Sequence, residues 1–322
     1  MSESDSSIAS VPVSRRRLLG TGGTMIALAA LGAGSTGAAV SAVVAAATKK
    51  AYYTGAIHFL LNGVDQGVLS AAKGGSLQIH ASNAITVESV VLTCNGNLQK
   101  SFFDWVNACL QGQPGSPQNA EIAFVNAAGA VENSLLLTGA RATSVAIEKI
   151  DIAQSKEPID ISVTVAAASA SQRFSRGGAL PVSNIRPRPL LQQNAVLFIH
   201  GLEEVTRQAR RIGELRMTSS SQGLRGRQEV NPYEPLTFEV SLSSARPLYA
   251  WFESWAKGSI QPRQGVLQFL DTARRNVLAS VDLIQLSPLR IGSFPSDADD
   301  QVATIEVALQ PRSLSLNFTK IE

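Results

Sequence analysis

Ser101-Phe102-Phe103-Asp104-Trp105-Val106-Asn107-Ala108-Cys109-Leu110-Gln111-Gly112 aligns without a gap on Pro247-Leu248-Tyr249-Ala250-Trp251-Phe252-Glu253-Ser254-Trp255-Ala256-Lys257-Gly258. The offset is 146, since 247 minus 101 and 258 minus 112 agree. Each block is a short amphipathic stretch with clustered aromatics, a Trp and a terminating Gly, and the pattern predicts helices at Phe102–Gln111 and Pro247–Lys257. Ser101 is the expected N-cap of the first, with Asp104 completing a capping box. Pro247 suits the start of the second, where its missing N–H costs nothing. The helix faces carry Phe103 and Trp105 in one block, Tyr249 and Trp251 in the other, and these four are the expected packing residues.

Alternating apolar segments flank both blocks: Val91 to Cys94 and Ile122/Phe124 around the first, Thr237 to Val240 and Leu267/Phe269 around the second. The alignment runs to Phe174 and Phe318, where the offset has slipped to 144 (318 minus 174). Such a period is far longer than the roughly 20–50 residues of a solenoid repeat. It predicts a tandem duplication of a whole domain. The expected fold class is mainly β: two tandem homologous small β-barrel or sandwich domains, each with one flanking α-helix.

The expected organisation is a signal peptide and linker at 1–48, a first β domain at 49–174, a Gly/Pro linker at 175–189 and a second β domain at 190–322. Ala56 to Leu61 opens the first domain as a strand, with Asn62-Gly63 as a hairpin turn. Ile159, Ile161, Val163 and Val165 form a late strand with period-2 alternation. Val196 to Ile199, Leu236 to Leu242 and Val302 to Leu309 repeat these features in the second domain.

Ser14-Arg15-Arg16-Arg17-Leu18-Leu19-Gly20 precedes a mildly hydrophobic Gly/Ala-rich run ending in Ala45-Ala46-Ala47. A basic segment, a weak apolar segment and a small-residue cleavage site make up a twin-arginine export signal, with Arg15 and Arg16 as its essential residues. The protein is therefore expected outside the cytoplasm: periplasmic, cell-surface or extracellular. Membrane contact is expected only through this segment, were it to stay uncleaved.

Chemistry is sparse. His58, His80 and His200 have no ligand-spaced partners, so no metal site is expected, nor any cofactor. No nucleophile elbow, P-loop or dinucleotide fingerprint is present, and no catalytic residue is assigned. The acids Asp297, Asp299 and Asp300 read as solvated turn charges. Cys94, at a strand end, and Cys109, late in the helix, either bond across a strand–helix contact or stay as two buried thiols. Their counterparts Val240 and Trp255 are apolar, which favours the thiols.

Charge divides unevenly. Ala51 to Phe174 holds 6 Lys/Arg and 9 Asp/Glu, a net of −3, while Ser175 to Glu322 holds 17 and 14, a net of +3. No specific nucleic-acid partner is implied, and the sign difference favours one half meeting the other. Arg207, Arg210, Arg211, Arg216, Arg225 and Arg227 fall in a basic, loop-like region, read as a solvated or inter-subunit surface, with polyanion contact as the alternative.

The duplicated unit resembles the tail tube proteins of contractile bacteriophages and, more distantly, the haemolysin-coregulated protein of type VI secretion. Phe103-Asp104-Trp105 and Tyr249-Ala250-Trp251 carry the resemblance, with the strand-and-turn stretches Phe124-Val125-Asn126-Ala127-Ala128-Gly129 and Phe269-Leu270-Asp271. Members form six-membered rings, so the resemblance implies a non-enzymatic, self-associating structural protein. Three two-domain chains would make a homotrimer ring with pseudo-six-fold symmetry. The alternatives are a secreted β-rich binding module of the cell envelope and an exported enzyme.

Overall fold

A computed structural model describes residues 55–79, 85–113, 115–153, 156–180, 188–219, 233–259, 261–293 and 303–319. Arg15, Arg16, His80, Arg225, Arg227, Asp297, Asp299 and Asp300 lie outside these. The first half contains β1 (Ala56–Leu61), β2 (Val64–Leu69), β3 (Ala71–Gly74), β4 (Leu77–Ile79), β5 (Ile85–Val87) and β6 (Val90–Cys94). Helix α1 (Lys100–Leu110) follows, then β7 (Gln118–Val125), β8 (Ala130–Ile147), β9 (Ile150–Asp151), β10 (Ile161–Ala166) and β11 (Ser169–Ala179). The second half contains β12 (Ala195–Ile199), the one-turn α2 (Glu203–Thr206), β13 (Arg211–Ile212), β14 (Leu215–Thr218) and β15 (Leu236–Ser241). Helix α3 (Arg246–Ala256), β16 (Arg263–Leu270), β17 (Val277–Ser293), β18 (Thr304–Gln310) and β19 (Ser313–Phe318) complete it. The protein is mainly β, its strands packed as open sheets with one principal helix in each half.

Both halves use one pairing order. β1–β7–β8–β10–β6–β3 is matched by β12–β16–β17–β18–β15–β13, and β11 lies on β8 as β19 lies on β17. Registers repeat as well. Leu92 faces Val163 and Val163 faces Val145; Phe238 faces Val307 and Val307 faces Ile291. Leu92 to Phe238 and Val145 to Ile291 are steps of 146, and Val163 to Val307 is a step of 144. Phe174 opposite Asn133 likewise becomes Phe318 opposite Ala279.

The two longest strands each serve two ladders. β8 lies between β7 and β11 up to about Ala140, then between β10 and β14. The change of partners follows Gly139, whose φ of +60° suits a residue without a Cβ. In β17 the matching position is Gln285, also at positive φ (+52°). A bulge leaves Thr143 unopposed in β8, and another leaves Leu289 unopposed 146 residues later. At both bulges the ladder resumes beyond the extra residue, with Val165 opposite Ala142 and Leu309 opposite Pro288.

Alternation explains the burial. Ile161, Val163 and Val165 point inward from β10, as do Leu236, Phe238 and Val240 from β15. A single hydrophobic cluster runs from Phe59 in β1 to Phe318 in β19, so the two halves share one core. β11 extends to Ala179, into the stretch read as linker.

The start of α1 corrects the expected cap. Gln99, not Ser101, is the N-cap, and it makes no side-chain capping bond. The backbone N–H of Gln99 donates to the Gln66 carbonyl (2.8 Å), and its side-chain amide donates to the Asp65 carbonyl (2.8 Å). These bonds tie the helix entry to β2. Ser101 turns to Gln66 Oε1 instead, and Asp104 pairs with Lys100 (2.6 Å). α3 starts at Arg246 with Pro247 in its first turn, as expected.

Candidate assembly surface

The expected helix residues lie on the core side. Phe103, Trp105 and Trp251 are buried and Tyr249 is half-buried. Phe102 meets Phe59 edge-on (5.2 Å) and Phe103 edge-on (5.1 Å), favourable geometries for aromatic pairs. The Trp105 indole N–H donates to the Ser116 carbonyl at 2.8 Å. Trp251 has no such acceptor; the Arg263 guanidinium lies over its ring at 5.2 Å. Cys94 and Cys109 are free and buried. Burial pushes the Cys94 thiol up to about 12 and raises that of Cys109, so both stay protonated at neutral pH.

Part of the region read as a basic loop is strand. Arg211 lies on β13 and Arg216 on β14. Such short strands, with charges alternating with Ile212, Leu215 and Met217, are easily hidden in a sequence by those charges. Arg211 sits between Asp151 (3.4 Å) and Glu239 (3.5 Å), and Arg216 pairs with Glu214 and with Glu234 (3.5 Å). Arg207 lies over the Phe198 ring at 5.2 Å. The backbone N–H of Arg210 donates to the Glu239 carbonyl at 2.9 Å. Part-exposed pairs of this kind are worth about 0–1 kcal/mol each.

The chemically distinctive place is the seam between the halves, and three contacts build it. First, β14 of the second half pairs with β8 of the first: Leu215 faces Ile147, Met217 faces Val145, and Ser219 N–H donates to the bulged Thr143 carbonyl at 2.8 Å. Second, β9 of the first half adds to β13 of the second, with Asp151 opposite Arg211. Third, α1 rests on β19. The rings of Phe103 and Phe318 stack at 3.4 Å and 6°, and Asn107 bonds both the carbonyl and the N–H of Leu316 through its side-chain amide. Met217, Asp151, Asn107 and Phe318 are functional candidates that the sequence reading did not single out. For Phe318 a signal existed, because it closes the repeat opposite Phe174.

Elsewhere, buried His58 and Asp65 lie 3.2 Å apart. Among the described residues, no three His, Cys, Asp or Glu are grouped so as to hold a metal ion.

No family model matches the chain, and no curated protein matches it. Among solved structures it is similar to the tube-terminating cap of the anti-feeding prophage, at 18% identity and a TM-score of 0.31, covering 38% of this chain and 90% of that one. It is also similar to a chain of the sheath–tube complex of an extracellular contractile injection system in its extended state. There the identity is 14% and the TM-score 0.31, with 37% of this chain and 89% of that chain covered. A chain of the anti-feeding prophage baseplate matches at 14% identity and a TM-score of 0.26, over 39% of this chain and 93% of that one.

Proposed function

We propose that this chain is an exported structural protein, made by tandem duplication of one β unit, that self-associates into rings or tubes. The observation that carries this reading is the seam. One unit presents a helix and two strand edges, and a second unit of the same pairing order seats itself on them. A unit that binds its own copy through two different faces can go on adding copies. Such a heterologous contact closes a ring where the rotation allows it and otherwise makes a filament. Three chains supply six units, the count that the resemblance to tail tube proteins implies. The role is architectural, not catalytic.

Mass photometry of the purified chain tests the assembly. A species at three times the chain mass is the expected result, and monomer alone up to micromolar concentration overturns it. The export route rests on the segment carrying Arg15 and Arg16. Replacing both by Lys should leave precursor in the cytoplasm, whereas unchanged secretion of that variant removes the twin-arginine assignment.

A further inference from the structure

The seam is built from parts that each half possesses, so it leaves one set of parts unused at either end of the chain. Backbone hydrogen bonds fix the correspondence. Ser70 N–H donates to Thr93 O and Glu88 N–H to Ser76 O; Arg210 N–H donates to Glu239 O and Glu234 N–H to Arg216 O. The second pair of bonds follows from the first by adding 140 before the hairpin (70 to 210, 76 to 216) and 146 after it (93 to 239, 88 to 234). Leu77 in β4 therefore occupies the place of Met217 in β14. Ile79 occupies that of Ser219, Phe174 that of Phe318, Tyr249 that of Phe103 and Leu289 that of Thr143.

Within the chain these places are filled, and among the described residues Leu77, Ile79, Phe174 and Leu289 stand exposed. Met217 is 2% exposed and its counterpart Leu77 is 52%. Ser219 is 5% exposed and Ile79 is 75%. Phe318 is 7% exposed and Phe174 is 77%. Leu289, on the part of β17 that matches the β14-paired part of β8, is 57% exposed. Among the described residues that part of β17 pairs with β18 alone, where its counterpart in β8 pairs with both β10 and β14. Large apolar side chains and an open strand edge on the same surface mark an unmade contact.

We infer that a second copy of this chain docks head to tail by repeating the internal seam, an inference that rests on the self-association reading above. β4 of one chain adds to the 290–293 edge of β17 in the next. Leu77 then faces Ile291, and the Ile79 N–H reaches the bulged Leu289 carbonyl. Tyr249 on α3 stacks on Phe174 of the neighbour, as Phe103 stacks on Phe318 internally. The β-edge and ring-stacking partners on one face meet their own counterparts on the other, so the occupant is this chain and no separate protein is required. The route of the hairpin fits. Gly74 and Gly75, at φ of +90° and +81°, turn β4 off the path that Glu214 and Leu215 follow in the second half, and among the described residues β4 pairs only with β5, as a separate ribbon. Such a glycine pair lets the ribbon realign along an incoming edge.

The test uses two variants of the full chain. Leu77→Asp/Phe174→Asp breaks one face, and Leu289→Asp/Tyr249→Ala breaks the other. By mass photometry, each alone should lose the oligomer and run as a monomer. Mixed in equal amounts they should form a species of two chains, because each retains the face that the other lacks. An oligomeric wild type whose oligomer survives either variant overturns the inference and leaves self-association standing. So does failure of two monomeric variants to pair. A wild type that never exceeds monomer overturns both readings. A crosslink guards against misfolding: Phe174→Cys and Tyr249→Cys chains, mixed and treated with a short bis-maleimide, should give a two-chain band. Its absence from an oligomeric mixture also overturns the inference.

Discussion

Phe102→Ala should destabilise the protein by about 3–5 kcal/mol, the range for deleting a buried aromatic ring. Phe102 is 0% exposed and touches three rings: Phe59 at 5.2 Å, Phe103 at 5.1 Å and Trp105 at 5.9 Å between centroids. Removing it takes away the apolar burial and leaves a cavity that these aromatics cannot close, since Phe103 is held by its stack on Phe318. A lowered urea midpoint with an unchanged m-value is the expected signature. A loss below about 1 kcal/mol would mean that the cluster relaxes freely, against the interlocked packing described.

Aspartate at two corresponding places should have opposite consequences. Met217→Asp puts a carboxylate between β14 and β8 at a site 2% exposed. Full burial of a Met side chain is worth about 1.5–3 kcal/mol, and desolvating an unpaired carboxylate adds to the loss, so at least about 3 kcal/mol should go. Leu77→Asp changes the matching residue, 52% exposed, and should move stability by no more than about 0.5 kcal/mol. Denaturant titration under conditions where the chain is monomeric compares the two directly. Equal losses would remove the correspondence between β4 and β14 on which the proposed docking surface rests.

The repeat, the alternating strands and the two helices were legible in the sequence because each is a local pattern. The Phe102–Gly112 block announces its helix through aromatics at helical spacing, and Ile161, Val163 and Val165 announce β10 through strict alternation. The start of α1 was misplaced because the bonds that decide it come from β2, at Asp65 and Gln66. The seam was hidden for a similar reason. β9 and β13 have two residues each, too few for any periodicity, and Arg216 separates the apolar residues of β14. Phe103 and Phe318 stack across 215 positions of chain, 318 minus 103, and no window of sequence contains both. The bare faces could be recognised only after one copy of the contact had been seen made.

The seam of β14, β9 and β19 joins units that share a backbone, so it forms at an effective concentration set by that tether, in the millimolar range for short flexible connections, whatever the dilution of the protein. A contact between separate chains has no such help and answers to mass action. Around a ring of these units the two kinds of joint would alternate, one insensitive to dilution and the other yielding to it. Breakage of such a ring would release fragments of two units and never one, each with one leading face and one trailing face open. On the proposed docking, the smallest fragment would already be able to regrow in either direction.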